Sequence, residues 1–393
     1  MNIQTLLDRG TVDVIVREEL EEKLKSGNKL NIKLGIDPSG ADLHIGHMVV
    51  IKKLQEFLET GHNIQLIFGN FTGQIGDPTD KLNARPPKKQ EELEKNAKKY
   101  LNQAGKILDT KNVQIFWNAD WLEKLNFTDV VRLSQVFTVH QMLERDMYQE
   151  RIKKNHPIFI HEFLYPLMQG YDSVELKSDL EIGGTDQTFN LLAGRTIQKA
   201  YGQKPQCVLT VPLLIGTDGK DKMGKSLDNY IGVDESPQEM FGKTMSIPDK
   251  LIVPYFELAT NISLEEIDNI KKVLDEGQNP RDLKIRLAKE IVTLYHDKEA
   301  AKNAEKEFIN IFSKKEIPED IETKKMEKTK WNIVDLITEA GLTSSKSEAR
   351  RIIEGGGVRV DEEKINSIEK EIDISEKRLL KVGKRKFLKV TGK

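Results

Sequence analysis

Between residues 30 and 37 the chain alternates: Leu30, Ile32, Leu34 and Ile36 fall on one side of a two-residue period, and Asn31, Lys33, Gly35 and Asp37 on the other. That period predicts a strand with two distinct faces. Beyond it the period lengthens. Val50, Ile51, Leu54, Phe57 and Leu58 recur at helical spacing, and Gly61 predicts the helix end. "NIQLIFG" then predicts a second strand. Strand, loop, helix and strand in succession imply a parallel sheet with a right-handed crossover. Further strands are expected at "VQIFW" and "QCVLTVPLLIG", and helices around Thr128–Val139 and Ile160–Tyr171. Up to about residue 230 the pattern is that of a doubly wound α/β domain.

From about 250 to 312 the spacing is helical throughout, and Ser263 with Glu266 forms a capping-box pattern before "IDNIKKVL". "SKKEIPEDIETKKMEKTK" is charged and poor in large apolar residues, which predicts a linker. Two short helices are expected at "WNIVDLITEAGL" and "SKSEARRIIEGGG", the second stopped by glycines. Strands are expected at "GVRVDEEKI" and "RLLKVGKRKFLKV". No internal repeat and no low-complexity tract interrupts this order.

Composition adds limits. The 393 residues allow two or three domains. Hydrophobic content of 38% and charged content of 32% fit a sizeable core under a polar surface, and the net charge of -2 predicts no polyanion partner from overall charge alone. The single cysteine, Cys207, excludes an intrachain disulfide and sits in an apolar run, where a small core residue is expected. The start shows no basic segment ahead of an apolar one, and no apolar run approaches the ~20 residues of a membrane span. A cytoplasmic chain with no membrane partner is expected.

The loop "DPSGADLHIGH" follows the first strand, where open α/β sheets bind ligands. His44, Gly46 and His47 open the next helix, whose free N–H groups favour anions. Histidines there can donate to phosphate oxygens; they could equally cap the helix or lie on its surface. In "DGKDKMGKSLDNYIG", Lys222 and Lys225 flank Gly224, with Ser226 adjacent. Two ammonium groups on such a loop suit a pyrophosphate that must be gripped and released, although a solvated lysine loop has the same composition. In "YPLMQGYD", Tyr165, Gln169 and Asp172 lie at i, i+4 and i+7 on one helix face. They suit a mostly apolar pocket with a few placed polar groups, or a polar stripe facing water. "IGGTDQTFN" and "GNFTGQIGDPTDK" supply Gly183, Asp186 and Gln187, and Thr72 and Asp77, on what read as turns.

In this order, "HIGH" and "KMGKS" resemble the two signatures of the class I aminoacyl-tRNA synthetases, the second usually KMSKS, with Gly224 in place of Ser. "GIDPS", "GDPT", "WNADW", "HEFLYPLMQGYDS" and "GGTDQ" extend the resemblance to the tyrosyl-tRNA synthetase family, from about residue 30 to the C-terminus. It implies a Rossmann-type catalytic domain over 1–232 with a dimer-interface insertion at about 120–180. An α-helical anticodon-arm domain over 233–325 follows, and a linker with a small α+β RNA-binding module over 326–393. It also implies activation of L-tyrosine by ATP, with Mg²⁺ accompanying the nucleotide and no dedicated metal cage, transfer to tRNA(Tyr), and a homodimer. His44, His47, Lys222 and Lys225 would act on the phosphates. Gly35, Asp37, Gly46, Gly183, Asp186, Lys225 and Ser226 would hold ATP. Asp77, Tyr165, Gln169 and Gln187 would hold the amino acid, and Asp172 its phenol. The terminal module would bind tRNA through Lys346, Arg350 and Arg351. One departure stands out: Lys33 occupies the position where another branch has a tyrosine touching the phenol. A small nucleotidyltransferase shares HxGH but gives no reason for the amino-acid pocket or the terminal module. An inactive RNA-binding relative gives none for the intact histidines and lysines.

Overall fold

A computed structural model describes residues 2–40, 42–79, 89–313, 321–361, 363–383 and 386–392. The chain divides into two compact units, Met1–Lys302 and Asn303–Lys393.

The first unit is built on β1 (Asp13–Ile15), β2 (Asn31–Ile36), β3 (Asn63–Phe68), β4 (Val113–Trp117), β5 (Leu180–Gly184) and β6 (Cys207–Val211), in the spatial order β1-β6-β5-β2-β3-β4. All neighbours pair in parallel except β1, which runs antiparallel to β6 at one edge. Chain order reverses between β5 and β2, so the carboxyl end of β2 opens at the switch point of a doubly wound sheet. The two-faced pattern of β2 does not leave its polar side wet. β2 is interior, and Lys33 is as fully buried as Ile32. Cys207 is buried as expected.

The helix after β2 runs Ile45–Glu59, with Gly61 at φ +92°. The segment expected as one helix at Thr128–Val139 is two, Phe127–Ser134 and Val139–Leu143, because Thr138 caps the second and interrupts the first. The helix Ile160–Leu176 runs a turn past its predicted end and accommodates Pro166. It packs closely on Thr188–Ala200, where a Cβ on Gly170 would come within 2.5 Å of Ile197. The start of "IGGTDQTFN", expected as a turn, is instead the end of strand β5; its glycines hid the pattern. In "QCVLTVPLLIG" the strand stops at Val211, since Pro212 cannot donate to a ladder. Ser263 and Glu266 form the expected capping box on Leu264–Asp275, one of four helices between Ile252 and Ser313.

The second unit carries β7 (Thr323–Met326), β8 (Lys330–Asn332), β9 (Val358–Val360), β10 (Glu363–Ile365), β11 (Glu371–Asp373), β12 (Arg378–Val382) and β13 (Lys386–Gly392). The larger sheet is ordered β10-β9-β12-β13-β7, and β8 pairs with β11. The helices Ile333–Glu339 and Lys346–Glu354 contribute Ile333, Leu336, Ile337, Ala349 and Ile353 to its core. Part of the expected linker, 314–320, lies outside the described residues. The rest is not linker throughout. Thr323–Met326 is an edge strand parallel to β13, and Met326 is a core residue.

Candidate active site

A cleft of about 370 Å³ opens at the carboxyl ends of β2, β3, β5 and β6. Its lining gathers groups from six separated segments: Asp37, the two histidines, Asp77, Tyr165 to Asp172, Gly183 to Gln187, and Lys222. Lys225 and Ser226 lie outside the lining, on the same loop.

Asp37 lies just past the end of β2. Its Oδ1 accepts from Thr72 Oγ1 at 2.7 Å, and its Oδ2 from the Tyr165 hydroxyl at 2.8 Å. Only glycine fits beside it, since a Cβ on Gly69 would lie 2.0 Å from Asp37 Oδ1. Asn118 Nδ2 donates to Thr72 Oγ1 at 2.9 Å and reaches Asp172 Oδ2 at 3.4 Å. Trp121 Nε1 donates to Asp172 Oδ1 at 2.8 Å. Asn118 and Trp121 come from "WNADW", the segment just after β4, and are the support that sequence spacing could not reveal. Across the cleft, Gln187 Nε2 donates to Asp77 Oδ2 at 2.8 Å, and Asn190 holds Gln187 in turn. So Tyr165, Gln169 and Asp172 face the cleft and not water.

His44 is the N-cap of its helix, and the two imidazoles stack with centroids 3.7 Å apart. The His44 N–H donates to His47 Nδ1 at 3.2 Å, which leaves the His47 proton on Nε2. Gly46 lies directly under the His44 ring, its Cβ position 3.0 Å from Nδ1. Burial, then His47 and Lys225, push His44 down to about 2. His47, whose ring opens onto the cleft, is pushed to about 4 by lost water and by Lys225. The buried His44 ring is therefore neutral across the physiological range, the more exposed His47 is biased the same way, and positive charge comes from the lysines.

Lys222 Nζ donates to Asp186 Oδ2 at 3.0 Å, and Lys225 lies 3.5 Å from Asp42. A buried side chain unnoticed in the sequence, Asn229, clasps their loop. Its Oδ1 accepts from the Gly224 N–H at 2.8 Å, and its Nδ2 donates to Asp218 Oδ2 at 2.8 Å and to Lys222 O at 3.2 Å. Gly224 has φ −163°, and a Cβ there would make only ordinary contacts. The glycine is therefore not required by the backbone, and the clasp limits any loosening it brings.

Burial pushes the Asp172 carboxyl up to about 7, against the opposing pull of Lys33, Trp121 and Asn118. Being raised above the ordinary carboxylate value near ~4, it stabilises the fold fully below that value, and the contribution is lost as pH rises through about 7. Asp172→Asn should therefore gain unfolding free energy relative to wild type between pH 5 and pH 8, on the order of 2–4 kcal/mol, seen as a growing difference in melting temperature. Thermal melts across that range check it; a pH-independent difference would remove the titration from Asp172.

With this geometry in view, two family descriptions cover the chain: "tRNA synthetases class I (W and Y)" matches residues 25–313, and "Tyrosine--tRNA ligase SYY-like C-terminal domain" matches 313–390. Relatives named tyrosine–tRNA ligase include that of Thermotoga maritima, 49% identical over 98% of this chain and 96% of its own. That of Carboxydothermus hydrogenoformans is 51% identical over the same shares. The chain belongs to the tyrosine–tRNA ligases. The fold of the family is shared more widely. A tyrosyl-tRNA synthetase from Archaeoglobus fulgidus, solved with L-tyrosine, superposes with a TM-score of 0.63 at 23% identity, over 77% of this chain and 98% of its own. A truncated mitochondrial tyrosyl-tRNA synthetase from Aspergillus nidulans gives 0.65 at 22%, over 79% and 93%. Within the tyrosine–tRNA ligase frame, one residue does not take the position expected of it. Lys33 is not in the cleft lining: its ammonium contacts Gln169 O, Ser173 Oγ and the cleft-lining Glu181.

Proposed function

We propose that this chain activates L-tyrosine with ATP to tyrosyl-adenylate and pyrophosphate, then transfers the tyrosyl group to the 3′-terminal adenosine of tRNA(Tyr). The observation that carries the reading is the single cleft in which Asp172, a buried acceptor held by two N–H donors, lies in the same lining as the neutral histidine pair and Lys222. Asp172 accepts a hydrogen bond from the phenol hydroxyl. Tyr165, Gln169 and Asp77 hold the α-ammonium, and Gln187 orients Asp77 and the carboxylate. Gly183 and Asp186 take the ribose; Gly35, Asp37 and Gly46 line the path of the α-phosphate.

The tyrosine carboxylate is already ionised and attacks the α-phosphorus as the bond to pyrophosphate breaks, so no general base is needed. Catalysis is positioning and charge stabilisation. His44 and His47 donate to the phosphates as neutral groups; Lys222 and Lys225, with Ser226 beside them, neutralise the leaving pyrophosphate. Mg²⁺ enters as the counter-ion of ATP, a substrate component. Exchange of labelled pyrophosphate into ATP that depends on tyrosine is the expected result; exchange with no amino-acid dependence overturns the reading.

The second unit supplies the tRNA contact. Arg350 and Arg351 are exposed on Lys346–Glu354, and Lys346 is held 2.7 Å from Asp335. Replacing all three with Ala should leave pyrophosphate exchange unchanged while weakening tRNA binding. The slope of log K against log salt should flatten by roughly 0.7–0.9 per lost phosphate contact, as counter-ion release requires. A salt slope equal to wild type removes these residues from the interface.

Assembly with a second copy is supported by exposed apolar side chains between 127 and 160: Phe127 at 84%, Val139 at 65% and Ile160 at 82% exposure. No described helix is long and apolar enough to cross a membrane. The buried thiol of Cys207 is consistent with a reducing compartment, and we place the chain in the cytoplasm.

A further inference from the structure

At the wall of the cleft lies a fully buried pair of opposite charges, Glu181 in the lining and Lys33 outside it. Lys33 on β2 and Glu181 on β5 are both fully buried, with Nζ and Oε1 2.9 Å apart. An isolated buried pair of this kind contributes little net stability, because desolvation offsets the attraction. Its connections point elsewhere. The Lys33 ammonium has three protons and uses them on Glu181 Oε1, on Gln169 O at 2.9 Å and on Ser173 Oγ at 2.6 Å. None is left for a phenol. Glu181 Oε1 also accepts from Gln169 Nε2 at 3.1 Å, while Oε2 accepts from Ser173 Oγ at 3.3 Å and from Gln206. The network leaves no room for a side chain at Gly194, whose Cβ would lie 2.9 Å from Ser173 Oγ and 3.1 Å from Glu181 Oε2. Gln169 and Ser173 bracket Asp172 on one helix, so the pair grips the backbone and side chains on both sides of it.

We infer that Lys33 and Glu181 are a positioning pair for amino-acid recognition, setting the amide of Gln169 and the charge of Asp172 with which the cleft reads tyrosine. This rests on the reading of Asp172 as the phenol acceptor. The charged and polar groups facing Asp172 come from every neighbouring element: Lys33 on β2, Glu181 on β5, Asn118 and Trp121 after β4. Tyr165 stands two turns away on its own helix, with Asp37 and Asp77 across the cleft. Among them Lys33 is the strongest influence favouring the carboxylate, and Glu181 opposes it more weakly. Removing both charges leaves burial less opposed, and the carboxyl then holds its proton to higher pH. A protonated carboxyl has one oxygen committed as donor and is a poorer acceptor for the phenol hydrogen.

The test is equilibrium binding of L-tyrosine to the full chain by calorimetry from pH 5.5 to 8.5, in wild type, Lys33→Met/Glu181→Gln and Asp172→Asn. The double variant keeps a neutral hydrogen-bonding amide and avoids the unpaired charge that either single variant would bury. In wild type, binding should weaken as pH falls through about 7. In the double variant that limb should move up by about one pH unit, a loss of about fivefold in affinity at pH 7 that grows to about tenfold at pH 5.5. In Asp172→Asn it should vanish. A folded double variant with the wild-type limb overturns the inference while leaving Asp172 as the phenol acceptor. Persistence of the limb in Asp172→Asn overturns that reading, and the inference with it.

Discussion

Asp172→Ala should lower kcat/KM for tyrosine in pyrophosphate exchange by at least about 30-fold, and for phenylalanine by much less. The physical reason is the difference of one hydroxyl. A hydrogen bond to a charged partner is worth about 1.5–3 kcal/mol. Asp172 is 3% exposed and lies among the donors Trp121 and Asn118, which fix the carboxylate geometry. With phenylalanine in the cleft that carboxylate has lost water and gained nothing, so the wild-type site disfavours the analogue already. Removing the carboxylate takes away the gain for tyrosine and the loss for phenylalanine together, and the preference narrows. No second phenol donor compensates, since the Lys33 ammonium is saturated. Equal factors for the two amino acids would make Asp172 a structural residue and place phenol recognition elsewhere.

Lys225→Ala and Lys222→Ala should each reduce the rate of adenylate formation by about 10²-fold, with tyrosine affinity unchanged. The scale is that of removing one preorganised electrostatic contact to the developing charge, roughly 10²–10³. Lys222 pairs with Asp186, and that pair is only partly buried, with side chains at 42% and 22% exposure. An exposed pair contributes about 0–1 kcal/mol, so exchanging Asp186 for a phosphate costs little beside the gain at the transition state. A contact made only in the transition state lowers kcat and kcat/KM equally. Single-turnover kinetics separate the cases: a normal adenylate rate with slowed product release would move both lysines from chemistry to release.

The local pattern was legible where one period dominates. Alternation at 30–37 and helical spacing from Val50 predicted β2 and the helix Ile45–Glu59, and the parallel pairing of β2 with β3 followed. The same logic missed β5, whose two glycines carry no side-chain pattern. It also overran the helix at Thr128–Val139, where a cap competes with propagation. Among site residues, Tyr165, Gln169 and Asp172 were visible because they share one helix face. Asn118 and Trp121 showed only as letters of "WNADW" without a role, and Glu181 and Asn229 not at all, because each meets its partner only across the fold, as with Trp121 and Asp172 or Lys33 and Glu181.

By itself the sequence determined the doubly wound sheet, the two signature loops and the types of chemical group in the site. Each of these is carried by spacing within one segment. Only the tertiary structure decided which groups face one another and with what charge. The alternating strand put Lys33 on the polar face, but an interior strand has no wet face, so the ammonium is buried and used up by Glu181 and its neighbours. The histidines could have been capping residues or phosphate donors. His44 is a cap that burial keeps neutral, and His47 stacks on it at the cleft beside Lys225. Hydrogen bonds and desolvation depend on distance in space, and sequence separation does not record it.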